Sequence, residues 1–414
     1  MSEEQIKPGY KRTEVGMIPE EWRVETIGSI FYLKQGVQTP VELQSAIKKE
    51  DYIRFIRIVD LTDPSISWRY IKNPGKDHHI SSNDLFMVRY GSPGLLGLGF
   101  SGVIANNLFR LIPKKEISVN FYYQYIKNKK AEIVEISGSS TMPAVNFGTL
   151  SALAVLSPPL AEQRAIAAAL SDVDALLAQL DQLIAKKRDL KQATMQQLLT
   201  GQTRLPGFSG AWQVKRLGDV GSCLRGVTYK GDNDLSPHDT SYTKRLLRSN
   251  NVQSATVVLD EVQFVNSRCV SVQQILQKDD ILICMANGSK SLVGKAGIFN
   301  VADGHEYTYG AFMACFRTEA TTFNSSFVFY LFQTGKYKNY INNLLAGSSI
   351  NNLNPSSIES LEFNIPQIAE QTAIATILSN MDAELATLQA RRDKTHALKQ
   401  GMMQELLTGR IRLV

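Results

Sequence analysis

Apolar side chains along this chain fall into one long helical stripe that occurs twice. Ile166, Leu170, Val173, Leu177, Leu180 and Ile184 follow one another at alternating spacings of four and three. That spacing brings side chains onto one face of a helix. The second stripe runs Ile374, Leu378, Met381, Leu385 and Leu388, then breaks at Arg392. No proline or glycine interrupts 161–200 or 369–400, prolines stand just ahead (Pro158, Pro159, Pro366), and Gly201 and Gly409 stand where a C-terminal cap belongs. About 38 residues at 1.5 Å each predicts rods of roughly 57 Å. Rods that long with a heptad-like stripe require a partner helix. The pairing predicted is between the two rods, antiparallel, because the second is tethered beyond an intervening domain; a self-associating coiled coil is the alternative.

The stripes belong to an internal repeat. Residues 161–205 align with 369–413 at a constant offset of 208 without gaps, and 25 of the 45 positions are identical. Ala161-Glu162-Gln163 meets Ala369-Glu370-Gln371, and Leu198-Leu199-Thr200-Gly201 meets Leu406-Leu407-Thr408-Gly409. Weaker echoes lie upstream. Pro19, Trp22, Ile27 and Gly28 correspond to Pro206, Trp212, Leu217 and Gly218; Gly138-Ser139-Ser140 with Asn146 corresponds to Gly347-Ser348-Ser349 with Asn354. Between these landmarks the halves differ almost completely. The plan is a variable globular region followed by a constant helix, twice over. The start of the chain supplies the piece that would follow its end, so it reads as a circle cut once, with both ends expected together across a pseudo-two-fold axis.

The variable regions, 17–158 and 206–366, mix both kinds of element. Strands are predicted at Tyr52–Val59, Leu85–Val88, Thr256–Val258 and Asp280–Met285, and helices at Phe121–Lys130 and Ser326–Tyr337. The expected fold class is α+β: two mixed α/β globular domains separated by two long antiparallel coiled-coil-like helices in a pseudo-two-fold circular arrangement. The expected divisions are 1–159 and 206–367 for the globular domains, and 160–205 and 368–414 for the helices.

Composition narrows the function. The 414 residues carry 45 Lys and Arg against 39 Asp and Glu, a net charge of +6, and each variable region is close to neutral. Charge alone therefore does not select a nucleic-acid partner. The four cysteines, at 223, 269, 284 and 315, include no Cys-x-x-Cys pair, which excludes a disulfide framework and suits a reducing compartment. The opening Met1-Ser2-Glu3-Glu4-Gln5 lacks the pattern of a secretory leader, and no apolar run is long enough for a membrane span. A cytoplasmic protein is expected.

Catalytic motifs are missing. Gly288 to Lys295 resembles a phosphate loop but places five residues between its glycines, and Ala296 stands where Ser or Thr should bind a metal. Gly94, Gly97 and Gly99 have the wrong order for a dinucleotide turn. Five scattered histidines mark no metal site, and no carboxylate pair has the spacing of an acid and base. The sequence predicts a non-enzyme with no catalytic residues, no metal and no cofactor of its own.

Pro159-Leu160-Ala161-Glu162-Gln163-Arg164-Ala165-Ile166, the Leu-Leu-Thr-Gly helix ends, the Ile18-Pro19-Glu20-Glu21-Trp22 and Leu205-Pro206…Trp212 openings and the Gly-Ser-Ser…Asn elements resemble the DNA-specificity (S) subunits of type I restriction–modification systems. The resemblance covers nearly the whole chain; Ile365-Pro366-Gln367-Ile368 replaces the double proline in the second copy. It implies that each globular domain is a target-recognition domain reading one half of a bipartite, asymmetric site in double-stranded DNA. The helices would set the spacer and carry two methyltransferase (M) subunits, with restriction and translocase (R) subunits joining them. S-adenosylmethionine, ATP and Mg would be used by those partners. Two alternatives stay open: a protein-interaction scaffold with two duplicated heads, and a modification-only or orphan specificity subunit.

Side-chain chemistry supplies candidate contacts, since Arg and Lys match guanine O6/N7 and Asn and Gln match adenine N6/N7 in the major groove. In the first domain these are Gln35, Arg57, Arg89, Asn106, Asn107, Ser139, Ser140 and Thr141. In the second they are Arg225, Lys230, Arg245, Arg248, Asn250, Asn251, Lys290, Lys295, Ser348 and Ser349. For each, a solvated or fold-supporting side chain is the competing reading. Gln163, Lys187 and Arg188, with their second-copy counterparts, are expected on exposed helix faces as docking points.

Overall fold

The computed structural model describes residues 7–138, 143–346 and 351–413, which form two compact units, Met1–Asp181 with Ala390–Val414, and Gln182–Gln389. The long helices are continuous over Leu160–Leu199 and Ile368–Leu406. Each unit holds the first half of one and the second half of the other. In the first unit the start of the first helix runs antiparallel to the end of the second: Lys399 Nζ lies 2.6 Å from Asp174 Oδ1, and Arg392 Nη1 3.8 Å from Asp181 Oδ1. In the second unit Lys191 pairs with Asp382, and Lys187 Nζ lies 2.6 Å from Glu384 Oε1.

Burial follows the stripe. Ile166, Leu170, Leu177, Leu180 and Ile184 are buried, as are Ile374, Leu378 and Leu385, while Val173, Met381 and Leu388 are half-buried. The helix ends enter the globular cores. Ile166, Ala167 and Leu170 pack with Leu406 and Leu407 into the core that contains Trp22, Phe31 and Phe121. At the offset of 208, Ile374, Ala375 and Leu378 pack with Leu198 and Leu199 into the core of Phe316, Phe327 and Tyr337. Burying such side chains contributes about 1.5–3 kcal/mol each, so helix and globular region stabilise one another.

The globular part of the first unit contains an antiparallel sheet ordered 31–35, 108–113, 85–88, 96–97, beside a mixed sheet ordered 69–72, 52–56, 102–104, 79–80. The second unit repeats the first of these as 221–225, 313–318, 281–284, 296–298, extended by two short strands. Its mixed sheet, ordered 235–236, 263–266, 243–247, 307–309, keeps the parallel pairing: Leu246 opposite Thr308 answers Ile104 opposite Ile56.

Several predicted elements are shorter or split. The strand from Tyr52 ends at Ile56, and Val59 opens a short helix; the strand at Thr256 ends at Val257. The helix predicted from Phe121 covers Val119–Asn128 and is followed by Lys130–Ile136. Ser326–Tyr337 is two helices, Ser325–Leu331 and Gly335–Ala346, because Thr334 turns its hydroxyl onto the Tyr337 N–H and starts a new helix. No helix among the described residues is long and apolar enough to cross a membrane.

Candidate nucleic-acid interface

Each globular region presents one end of its sheets as a backbone platform, and the two platforms correspond bond by bond. In the first unit Gly36 N–H donates to Leu108 O (2.9 Å), Val37 N–H to Ile104 O (2.9 Å) and Arg89 N–H to Asn107 O (2.8 Å). In the second Gly226 N–H donates to Met313 O (3.1 Å), Val227 N–H to Tyr309 O (2.8 Å) and Met285 N–H to Phe312 O (2.8 Å). Isolated bridges match too, Tyr90 to Ala144 and Ala286 to Asn352. Glycine is required at both crossings, because a Cβ on Gly36 would lie 2.3 Å from Ala105 O and one on Gly226 2.1 Å from Gly310 O.

The side chains on the platforms differ. In the first unit Gln35, Arg89 and Asn106 join in one cluster: Arg89 Nη1 donates to Gln35 Oε1 (2.8 Å), and Gln35 Nε2 to Asn106 O (2.6 Å). The Arg89 guanidinium also stacks over the Phe147 ring at 4.8 Å. Asn107 completes the turn, so four of the sequence-derived candidates converge here. Arg57 lies apart, held by Asp60 (2.9 Å) and Ser67 O (3.0 Å).

In the second unit the platform opens into a cleft of about 1170 Å³ lined by Arg248, Asn250, Asn287, Phe312, Asn351 and Asn352 among others. Arg248 Nη2 donates to Glu261 O (3.0 Å), and Asn250 Nδ2 to Glu261 Oε2 (3.4 Å). Arg225, the counterpart of Gln35, donates to Asn354 Oδ1 (2.9 Å). Lys230 and Lys290 are exposed and Lys295 is half-buried.

Two candidates of the second domain are engaged within the fold. Asn251 is fully buried, its amide donating to Val258 O (3.0 Å) and Asp260 O (2.7 Å). Arg245 is spent on Asp239 (3.0 Å), Asp303 (3.2 Å) and Tyr307 Oη (2.9 Å). The hydrogen bond from Arg245 holds the Asp239 carboxyl below its ordinary range. Ser139, Ser140, Thr141, Ser348 and Ser349 lie outside the described residues.

The repeated Ala-Glu-Gln is a latch between helix and globular core. Glu162 accepts from Trp22 Nε1 (2.8 Å) and Arg412 Nε (2.6 Å); Glu370 accepts from Trp212 Nε1 (3.2 Å) and Arg204 Nε (2.6 Å). Gln163 Oε1 accepts from Ser118 N–H and its Nε2 donates to Pro158 O; Gln371 does the same with Asn324 and Pro366, all at 2.9 Å. Gln163 is therefore buried, contrary to the exposed docking face expected of it. It stands three residues before Ile166 and seven before Leu170, on the buried stripe itself, and that spacing was the signal to read. Lys187 is engaged with Glu384.

Comparison with known proteins adds the decisive observation. The family described as "Type I restriction modification DNA specificity domain" matches this chain twice, over residues 19–186 and 210–395. The chain belongs to this family. Its two specificity domains carry the duplicated frame described above, and the family is one of DNA recognition rather than catalysis. The type I restriction enzyme EcoKI specificity subunit of Escherichia coli K12 is 32% identical over 200 residues, 48% of this chain and 42% of that protein. The matched stretch thus spans less than half of that relative, and the same share, 42%, of the StySPI specificity subunit of Salmonella potsdam, which is 30% identical. The MjaVIII specificity subunit of Methanocaldococcus jannaschii is 24% identical over 96% of this chain and 94% of its own length. In fold, the chain resembles the crystal structure of a type I restriction–modification S subunit from M. genitalium, with a TM-score of 0.62 and 17% identity over 93% of this chain and 96% of that one. Among the described residues no group of His, Cys, Asp and Glu is placed to hold a metal ion.

Proposed function

We propose that this chain is the DNA-specificity subunit of a type I restriction–modification complex, each globular domain reading one half of a bipartite, asymmetric target in duplex DNA. The division is 1–159 and 206–367 for the target-recognition domains, and 160–205 and 368–414 for the helices that set the spacer and dock two methyltransferase subunits. Restriction and translocase subunits join that assembly in the cytoplasm. Methyl transfer from S-adenosylmethionine and ATP- and Mg-dependent cleavage are work for those partners.

One observation carries the reading. The two units keep the same latch and the same platform bonds, yet the platform offers Gln35, Arg89, Asn106 and Asn107 in one and Arg225, Ala311 and Phe312 in the other, where Met285, the counterpart of Arg89, is buried in the core. A constant frame with exchanged side chains at one edge suits two readers of different sequence. The near-neutral domains fit partners that contribute phosphate contacts, which dominate affinity.

Mapping methylated adenines in the host genome tests this directly. A split, asymmetric motif that disappears when this gene is deleted is the expected result; an unchanged methylation pattern refutes it. Inserting four residues before Gly201 adds ~6 Å of helix, about two base-pair steps, and should lengthen the spacer while both half-sites persist.

A further inference from the structure

The platform turn that carries Asn106 and Asn107 in the first unit carries Ala311 and Phe312 in the second. Phe312 is 72% exposed although it immediately precedes the strand Met313–Thr318, whose first four residues are buried. Its backbone is fixed: Phe312 O accepts from Met285 N–H (2.8 Å) and Ala286 N–H (3.2 Å), and Met313 N–H closes the turn onto Gly310 O (2.8 Å). The phenyl ring is therefore held on a rigid support in the lining of the cleft, together with Tyr229, Ala311, several amides and the Arg248 guanidinium. Leaving so large an apolar group in water gives up the stabilisation that its burial would supply, which the fold itself does not recover. A protein-docking anchor would sit within a wider apolar patch. Here Tyr229, Ala311 and the ring are interleaved with Arg248, Asn250 and Asn287, groups whose chemistry matches base edges.

We propose that Phe312, backed by Ala311, is a specificity-determining residue that recognises the C5-methyl group of a thymine in the major groove of the second half-site. Thymine is the base that presents a methyl group there, and apolar side chains are the groups that match it. The turn in the first unit, with two amides in the same place, reads a hydrogen-bonding edge. The inference rests on the DNA-binding reading above and deepens it.

The test uses the full chain with its co-purified partner subunits and a duplex carrying the methylated target. Each thymine of the second half-site is replaced in turn by deoxyuridine, which lacks only the methyl group. One position should lose about fourfold in affinity, the worth of one buried methyl-sized group. Phe312→Ala should lose the same factor on the thymine duplex and nothing further on the deoxyuridine duplex, while Phe312→Leu keeps part of the discrimination. Indifference to every deoxyuridine, equal losses for Phe312→Ala on both duplexes, or a second half-site without thymine overturns the assignment. The absence of any salt-dependent duplex binding would instead remove the DNA-binding reading itself.

Discussion

Trp22 donates its indole N–H to the carboxylate of Glu162 across 2.8 Å and 140 residues of sequence, and both side chains are fully buried. Arg412 approaches the same carboxylate from near the C-terminus (2.6 Å), and Tyr10 Oη donates to Gly409 O (2.9 Å). The chain's two ends thus close on the first helix at one carboxylate, as Arg204 and Trp212 close on Glu370 in the other unit.

Glu162→Gln removes the charge that pairs Arg412 while keeping the shape. Breaking a buried pair from one side costs about 3–5 kcal/mol. Glu370→Gln should cost less, because Trp212 is half-buried and its bond is longer, 3.2 Å. Urea unfolding of the two variants is expected to rank Glu162→Gln as the more damaging; the reverse order would contradict the latch.

Gly409 caps the second helix at φ +74, and a Cβ there would lie 2.6 Å from Pro19 Cδ and 3.2 Å from Trp22. Gly201 caps the first at φ +71, with the nearest contact, Trp212, at 3.6 Å. Both alanine variants lose the left-handed cap, about 1 kcal/mol. Gly409→Ala adds a clash with the proline ring and should lower the melting temperature further than Gly201→Ala.

Acid should loosen the helix pair of the first unit. Burial works against ionisation of Asp174, yet the hydrogen bonds from Lys399 and Gln124 outweigh it and hold the carboxyl below its ordinary value. A carboxylate depressed on folding stabilises fully above its unfolded value, near 3.9, and loses that contribution as pH falls through the folded value. Asp174→Asn is expected to lower stability at pH 7 by about 1 kcal/mol, given the partly exposed carboxylate, and to flatten the stability curve below pH 4. An unchanged acid limb would show that Asp174 contributes nothing there.

Periodicity made the helices legible because both ran without proline or glycine through the stripe from Ile166 to Ile184 and its copy. Gly201 and Gly409 marked their ends for the same local reason. The site was harder. Gln35, Arg89, Asn106 and Asn107 are drawn together by strand pairings between residues some 20 to 70 apart, which no local pattern encodes. Phe312 is not legible in the sequence, because an aromatic residue leading into Met313-Ala314-Cys315-Phe316 reads as core; the turn from Gly310 is what leaves it exposed. Asn251 and Arg245 carry the right chemistry for bases, but Asn251 meets Val258 O and Asp260 O only because the chain turns back on itself there, and Arg245 meets Asp303 and Tyr307 only through pairing with a distant strand.

That contrast separates two basic side chains that composition treats alike. Arg245 is bound to Asp239, Asp303 and Tyr307, so Arg245→Ala leaves two carboxylates without their counter-ion and should cost stability. Lys230 stands exposed on the same unit. If it contacts phosphate, Lys230→Ala should weaken binding to cognate and non-cognate duplexes by a similar factor and reduce the slope of log K against log salt by about 0.9, without moving the melting temperature. A Lys230→Ala loss confined to one base pair would make it a base reader instead. A lowered salt slope with full stability for Arg245→Ala would show that its carboxylate partners release it to the DNA.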